Sequence, residues 1–105
     1  MPSIEELEKL VQQFPDKPFP RYGLAMEYKK ASRLDEAVPH FREAMKLDPN
    51  YVAAWFQCGI AYQEAGKVDD ARMTYREGIE VARRVGNGHA LSELTEALAS
   101  LPPEA

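Results

Sequence analysis

The chain has 105 residues, of which 45% are apolar and 29% are charged, and its formal net charge is −4. This balance is typical of a single soluble globular domain and excludes a disordered chain, which lacks the apolar residues for a core. The negative charge disfavours nucleic acid as a partner, because phosphate binding depends on lysine and arginine. No signal peptide or membrane-length apolar run is evident, so we expect a cytoplasmic protein without membrane contact.

The first predicted element is a helix over residues 3–14. It begins with Ser3-Ile4-Glu5-Glu6, the pattern of a capping box, in which a serine and a glutamate satisfy each other's backbone amides. Its apolar side chains recur at helical spacing: Leu7, Leu10, Val11 and Phe14. Because Pro15 precedes Pro49 by 34 residues, this helix occupies the place of the second helix of a preceding unit. We therefore interpret it as an N-terminal half-repeat that acts as a cap.

Residues 18–51 and 52–85 are copies of one another at an offset of 34 residues. The two segments share six identical pairs, which are Tyr28/Tyr62, Ala31/Ala65, Asp35/Asp69, Ala37/Ala71, Arg42/Arg76 and Glu43/Glu77. Small residues also occupy equivalent positions in the two copies; for example, Ala25 corresponds to Gly59. Internal repeats of this length are typical of stacked helical units.

Each copy predicts two helices that face each other. Apolar stripes at helical spacing occur in the first half of each copy (Leu24, Ala25 and Tyr28; Trp55, Cys58, Gly59 and Tyr62) and in the second (Ala37, Phe41, Ala44 and Met45; Ala71, Tyr75, Gly78 and Ile79). Small and large residues alternate along these stripes, which lets facing helices interdigitate. Arg83 replaces the proline that ends the first copy, so we expect the last repeat helix to continue to Val85.

The final predicted element is a capping helix over residues 88–101. It follows Gly86-Asn87-Gly88, a helix-ending segment, and its apolar face carries Ala90, Leu91, Leu94, Ala97, Leu98 and Leu101. We expect this face to cover the second repeat. Pro102-Pro103 ends the helix, and we expect the residues after it to be frayed.

These motifs together resemble the tetratricopeptide repeat. Trp55-x2-Cys58-Gly59-x2-Tyr62, followed by Ala71-x3-Tyr75, is similar to the family signature, and the first copy repeats it as Leu24-Ala25-x2-Tyr28 and Ala37-x3-Phe41. The resemblance implies an all-α fold, in which six helices form antiparallel hairpins stacked as a right-handed superhelix. We expect one domain over residues 1–105.

In this family the first helix of each repeat lines a concave, partner-binding surface. The residues on that side of the two first helices, beside the apolar stripes, are Tyr22, Met26, Lys29, Lys30, Phe56, Gln57, Ile60 and Gln63. They predict a shallow groove with an apolar floor and a basic rim. An alternative for Tyr22 and Phe56 is purely structural, with the two rings packed against each other between helices.

The sequence does not predict catalysis. His40 and His89 lack clustered partners for a metal, and we expect His40 on the outer side of its helix. Cys58 lies in an apolar stripe and is interpreted as a small core residue. No glycine-rich phosphate loop is present. We therefore expect a protein that is not an enzyme and has no cofactor.

The leading hypothesis is an adaptor that binds a peptide or partner protein in the groove. Some family members hold acidic chaperone tails with lysine, asparagine and arginine, but the matching positions here carry Tyr22, Met26 and Gln57, so that activity is not expected. The alternative hypothesis is self-association through the same apolar face, which allows either a monomer or a weak homodimer. RNA binding is disfavoured, because the inner helices lack a basic stripe.

Overall fold

The computed structural model describes residues 2–104, and in that range the chain forms six α-helices and no β-strand. The helices are α1 (Ile4–Gln13), α2 (Pro18–Lys30), α3 (Leu34–Leu47), α4 (Val52–Glu64), α5 (Val68–Val85) and α6 (Gly88–Ala99). None of these helices combines the length and apolar character needed to cross a membrane.

The helix ends follow local sequence signals. At the start of α1 the Glu6 backbone N–H donates to Ser3 Oγ at 3.1 Å, and the Ser3 backbone N–H donates to Glu6 Oε1 at 3.2 Å. This is the reciprocal capping box expected from the sequence. Helix α5 continues to Val85, as predicted, and ends where Gly86 adopts a left-handed φ of 71°. Glycine reaches that conformation without the steric cost that a side chain would add.

Successive helices pack as antiparallel hairpins, and the hairpins stack. The pairs α2 with α3 and α4 with α5 form the two repeats, α1 lies against α2, and α6 lies against α5. Helix α4 also contacts both α2 and α6. The first helices of successive units therefore adjoin in the order α2, α4, α6, as expected for a stacked array.

The core consists of two clusters. The first is built mainly from α1 to α4 and includes Leu24, Phe41 and Trp55, all buried. The second joins α5 to α6 through residues such as Tyr75 and Leu94. Both amphipathic end helices contribute their apolar faces to these clusters, so each covers a surface that a repeat would otherwise expose.

One expectation from the sequence is wrong. His40 does not lie on the outer side of α3: it is half-buried, its ring stacks on Tyr28 with centroids 5.6 Å apart, and its Nδ1 lies 3.4 Å from Arg21 Nη1. Beyond α6, Leu101 is buried, as its place on the predicted apolar face requires, and Arg72 Nη2 donates to the Pro102 carbonyl at 2.8 Å. The fraying expected after Pro102-Pro103 stays a prediction.

Candidate partner-binding face

The eight residues predicted to line the groove lie on α2 and α4, the two adjoining first helices. We call this set the α2–α4 face: Tyr22, Met26, Lys29, Lys30, Phe56, Gln57, Ile60 and Gln63. Six of them are half-buried, whereas Lys30 and Gln63 are exposed. The face is thus a mostly half-buried surface with exposed residues near the C-terminal ends of both helices.

On α2, the aromatic and aliphatic residues of the face are anchored in the first core cluster. The Tyr22 ring meets Phe41 edge-on with centroids 5.8 Å apart, and it lies 5.0 Å from the ring of Tyr51. Met26 packs against the same cluster while part of its side chain stays accessible. Burial raises the pKa of Tyr22, with a smaller contribution from Tyr51.

On α4, Phe56 and Ile60 pack against the second core cluster. The Phe56 ring lies 6.4 Å from that of Tyr75, its neighbour on α5. Phe56 and Tyr22 therefore pack against different aromatic partners, rather than against each other. Each ring has a structural role within its own repeat and still presents an accessible edge.

The two lysines of the face are both paired with glutamates. Lys29 Nζ lies 3.7 Å from Glu64 Oε1, which links α2 to α4, and Lys30 Nζ lies 4.0 Å from Glu27 Oε2 within α2. The lysine end of the groove is therefore close to neutral rather than basic. The sequence places Glu64 on the same stripe of α4 as Gln63, but the expected basic rim did not include its pairing with Lys29.

Gln63 positions a buried tyrosine. Its Oε1 accepts a hydrogen bond of 2.9 Å from the Tyr75 hydroxyl, across the hairpin of α4 and α5. Burial, aided by the charge of Glu64, raises the pKa of Tyr75 to about 12. Gln63 therefore stabilises the neutral tyrosine and is partly committed to the fold.

One surface groove adjoins the α2–α4 face at Lys30. This groove of about 630 Å³, between the start of α1 and the end of α2, shares only Lys30 with the face, and is lined by Ser3, Ile4, Glu5, Glu27, Lys30 and Ala31.

Within residues 2–104, histidine, cysteine and acidic side chains do not gather in threes at any point that could hold a metal ion. Cys58 is buried, and burial raises the pKa of its thiol to about 12. The reactive thiolate is therefore scarce near neutral pH. His89 is exposed and lies 3.3 Å from Glu93, one turn further along α6.

Comparisons with known proteins agree with this architecture. The family model for the tetratricopeptide repeat matches residues 28–94. A TPR repeat-containing protein of Pseudomonas aeruginosa is 34% identical over 98 residues, which are 93% of each chain. The solution structure of a tetratricopeptide repeat domain protein from Salinibacter ruber has a TM-score of 0.73 and 41% identity, and the match covers 81% of this chain and 86% of that one.

A more distant match supports the fold alone. The TPR2B domain of yeast Sti1, solved in a complex with pHsp70, has a TM-score of 0.87 at 19% identity, over 91% of this chain and 77% of that one. The same family is indicated by the stacked hairpins, by the repeat period of 34 residues and by the match to the family model. The chain belongs to the tetratricopeptide repeat family, whose domains are protein-interaction modules.

Proposed function

We propose that this chain is an adaptor that binds a segment of a partner protein on the α2–α4 face. The observation that carries the proposal is the partial exposure of four apolar side chains, Tyr22, Met26, Phe56 and Ile60, on two adjoining helices. Half-buried apolar residues on a rigid support contribute to binding at little entropic cost, because their rotamers are already restricted. Binding rather than catalysis is the activity that these side chains supply.

The chemistry of the face favours an apolar segment over an acidic tail. Lys29 and Lys30 each lie near a glutamate, which lowers the positive charge that the face presents to an acidic segment. Tyr22, Met26 and Gln57 stand where other family members carry basic and amide side chains that bind acidic tails. The Sti1 domain binds pHsp70, but these residues support a different ligand class here. We propose a segment with aromatic or aliphatic anchors that fit beside Met26 and Ile60.

Met26→Glu combined with Ile60→Glu is the variant that tests this proposal. A displayed library of random peptides is selected on the wild-type chain, and the recovered peptides are measured by calorimetry against both chains. We expect the double variant to lose at least about tenfold in affinity, since each substitution places a charge at an apolar contact. Both residues are half-buried, so the double variant also melts at a lower temperature, and binding is measured well below that melting point.

A matched control uses the same change elsewhere. Val85 on α5 is also an accessible apolar residue, and Val85→Glu leaves the α2–α4 face intact. Peptides that bind Val85→Glu as tightly as the wild type but fail on the double variant support the proposal. Peptides that bind the double variant unchanged place the site elsewhere.

Self-association through the same face is the alternative, and sedimentation distinguishes the two. A chain that remains monomeric at high concentration and binds the selected peptides is an adaptor. A dimer that the double variant dissociates is an assembly unit, and it would contradict the adaptor proposal. The cytoplasmic location expected from the sequence stays a prediction.

A further inference from the structure

A charged site lies away from the α2–α4 face, where residues 101–104 return to α5. Arg76 Nη2 donates to Glu104 Oε1 at 2.5 Å, and Arg72 Nε lies 3.8 Å from the same oxygen. Arg72 and Arg76 are four residues apart on α5, so their side chains lie one helical turn apart on one side. The chain therefore presents two guanidinium groups to one carboxylate.

Arg72 has the features of a residue built into a site. It is only 8% exposed, although arginine is rarely buried without a partner. Its Nη2 donates to the Pro102 carbonyl, but its Nε is buried and lacks a hydrogen-bond acceptor. An unpaired buried donor is costly, and this one lies beside the Glu104 carboxylate without bonding to it.

The space beside these groups is large enough for a ligand. A groove of about 470 Å³ is lined by Asp69, Arg72, Met73, Arg76, Glu77 and Glu104. Met73 is 64% exposed there and offers an adaptable apolar contact next to the two guanidinium groups. Asp69 and Glu77 repel a run of acidic residues, so the groove suits one carboxylate flanked by apolar residues.

We propose that Arg72 and Arg76 form a carboxylate-binding site on α5, which Glu104 of the same chain occupies in this structure and which a partner segment takes in its place. The preferred segment carries one carboxylate next to apolar residues, the same chemistry as Leu101-Pro102-Pro103-Glu104. A partner carboxylate that lies closer to α5 accepts hydrogen bonds from both Arg72 Nε and Arg76 Nη2. Glu104 accepts one from Arg76 but none from Arg72 Nε. The residues after α6 then act as an internal competitor that lowers the apparent affinity for the partner.

This site shares no residue with the α2–α4 face, so each proposal is tested separately from the other. The probe is the peptide Leu-Pro-Pro-Glu, acetylated and amidated so that its glutamate is its only charge. It is titrated into the isotope-labelled full chain, and the arginine Nε–H and backbone resonances of α5 are followed by NMR. Three chains are compared: wild type, Glu104→Gln, and Glu104→Gln with Arg76→Gln.

We expect Glu104→Gln to bind the probe roughly three- to tenfold more tightly than the wild type, because the competing carboxylate is gone. Adding Arg76→Gln should abolish binding, whereas adding Arg83→Gln, an exposed arginine near the other end of α5, should leave it unchanged. A Leu-Pro-Pro-Gln peptide should not shift the Arg72 Nε–H resonance. Equal affinity of all the chains for the probe, or no binding by Glu104→Gln, would contradict the proposal. Arg72, Arg76 and Glu104 would then serve only to hold the end of the chain against α5.

Discussion

Gly59 on α4 lies directly against the ring of Tyr75 on α5. A methyl group placed on Gly59 would overlap Cε1 and Cδ1 of that ring, both part of a side chain that is fully buried. The hydroxyl of the same tyrosine is fixed by Gln63. Since the ring is fully buried and lies against Gly59, the close approach of α4 and α5 depends on the absence of a side chain at position 59.

We therefore expect Gly59→Ala to lower the free energy of unfolding by about 1–3 kcal/mol, the usual cost of overpacking a core. Gly59→Leu should prevent folding. The measurement is urea unfolding followed by circular dichroism. Gly88→Ala is the matched control, because nothing lies within 4 Å of a methyl group there. A Gly59→Ala chain as stable as the Gly88→Ala chain would contradict the close packing of α4 against α5 described above.

Alkaline pH should destabilise the chain through two buried groups. Burial raises the pKa of the Cys58 thiol from 9.0 to about 12 and that of Tyr75 from 10.0 to about 12. The folded state favours both neutral forms, so their stabilisation is complete below the ordinary pKa values and is lost as the pH rises towards 12. Each group contributes a slope of about 1.4 kcal/mol per pH unit within its window.

Unfolding measured from pH 8 to pH 12 tests this expectation, with Cys58→Ala and Tyr75→Phe as the informative variants. Each variant is less stable at pH 8 but should lose less stability on going to high pH than the wild type does. Slopes identical in all three chains would mean that neither group titrates on unfolding.

The pKa of His40 should lie below its ordinary value of 6.5. Burial is the larger cause and the charge of Arg21 the second, while Glu8, Glu36 and Glu43 oppose them. The folded chain favours the neutral imidazole, so the resulting stabilisation is present above pH 6.5 and is lost as the pH falls below it. NMR titration of the ring protons measures this pKa.

Arg21→Gln provides a directed test of the cause, because it removes the neighbouring charge and retains a polar side chain. We expect the pKa of His40 to rise in this variant but to stay the same in Arg84→Gln, whose arginine bonds to Asn50 instead. A pKa of His40 at or above 6.5 in the wild type would contradict the buried stacking on Tyr28.

Most of the fold was predictable because the repeat period constrains it. Small residues at positions 25 and 59 and aromatic residues at 41 and 75 recur at the same offset, and the structure buries all four. His40 falls outside that pattern. It contacts Tyr28 and Arg21 on the neighbouring helix, and periodicity alone did not predict these contacts.

The candidate site was harder to predict, because its charge depends on contacts between helices. The sequence placed Lys29 and Lys30 on the correct helix, but it did not show that Glu64 approaches Lys29 from α4 or that Glu27 pairs with Lys30. The sequence also did not predict the carboxylate site that we propose on α5. Arg72 stands where the first copy has Val38, and this replacement of an apolar by a basic residue was the available signal.

The Lys29–Glu64 pair should contribute little to stability. The Glu64 side chain is about half exposed, and exposed ion pairs contribute about 0–1 kcal/mol. A double-mutant cycle with Lys29→Met and Glu64→Gln should therefore give a coupling energy below about 1 kcal/mol, which diminishes further in high salt. A coupling energy of several kcal/mol would mean that the pair is shielded from solvent.

Chemical-shift mapping of a selected peptide on the isotope-labelled chain tests the central claim most directly. If the α2–α4 face binds the partner, the largest shifts occur at Met26, Gln57 and Ile60, and the shifts on the outer surfaces of α3 and α5 are small. Shifts concentrated on α3 and α5, with α2 and α4 unaffected, would contradict the proposed binding face.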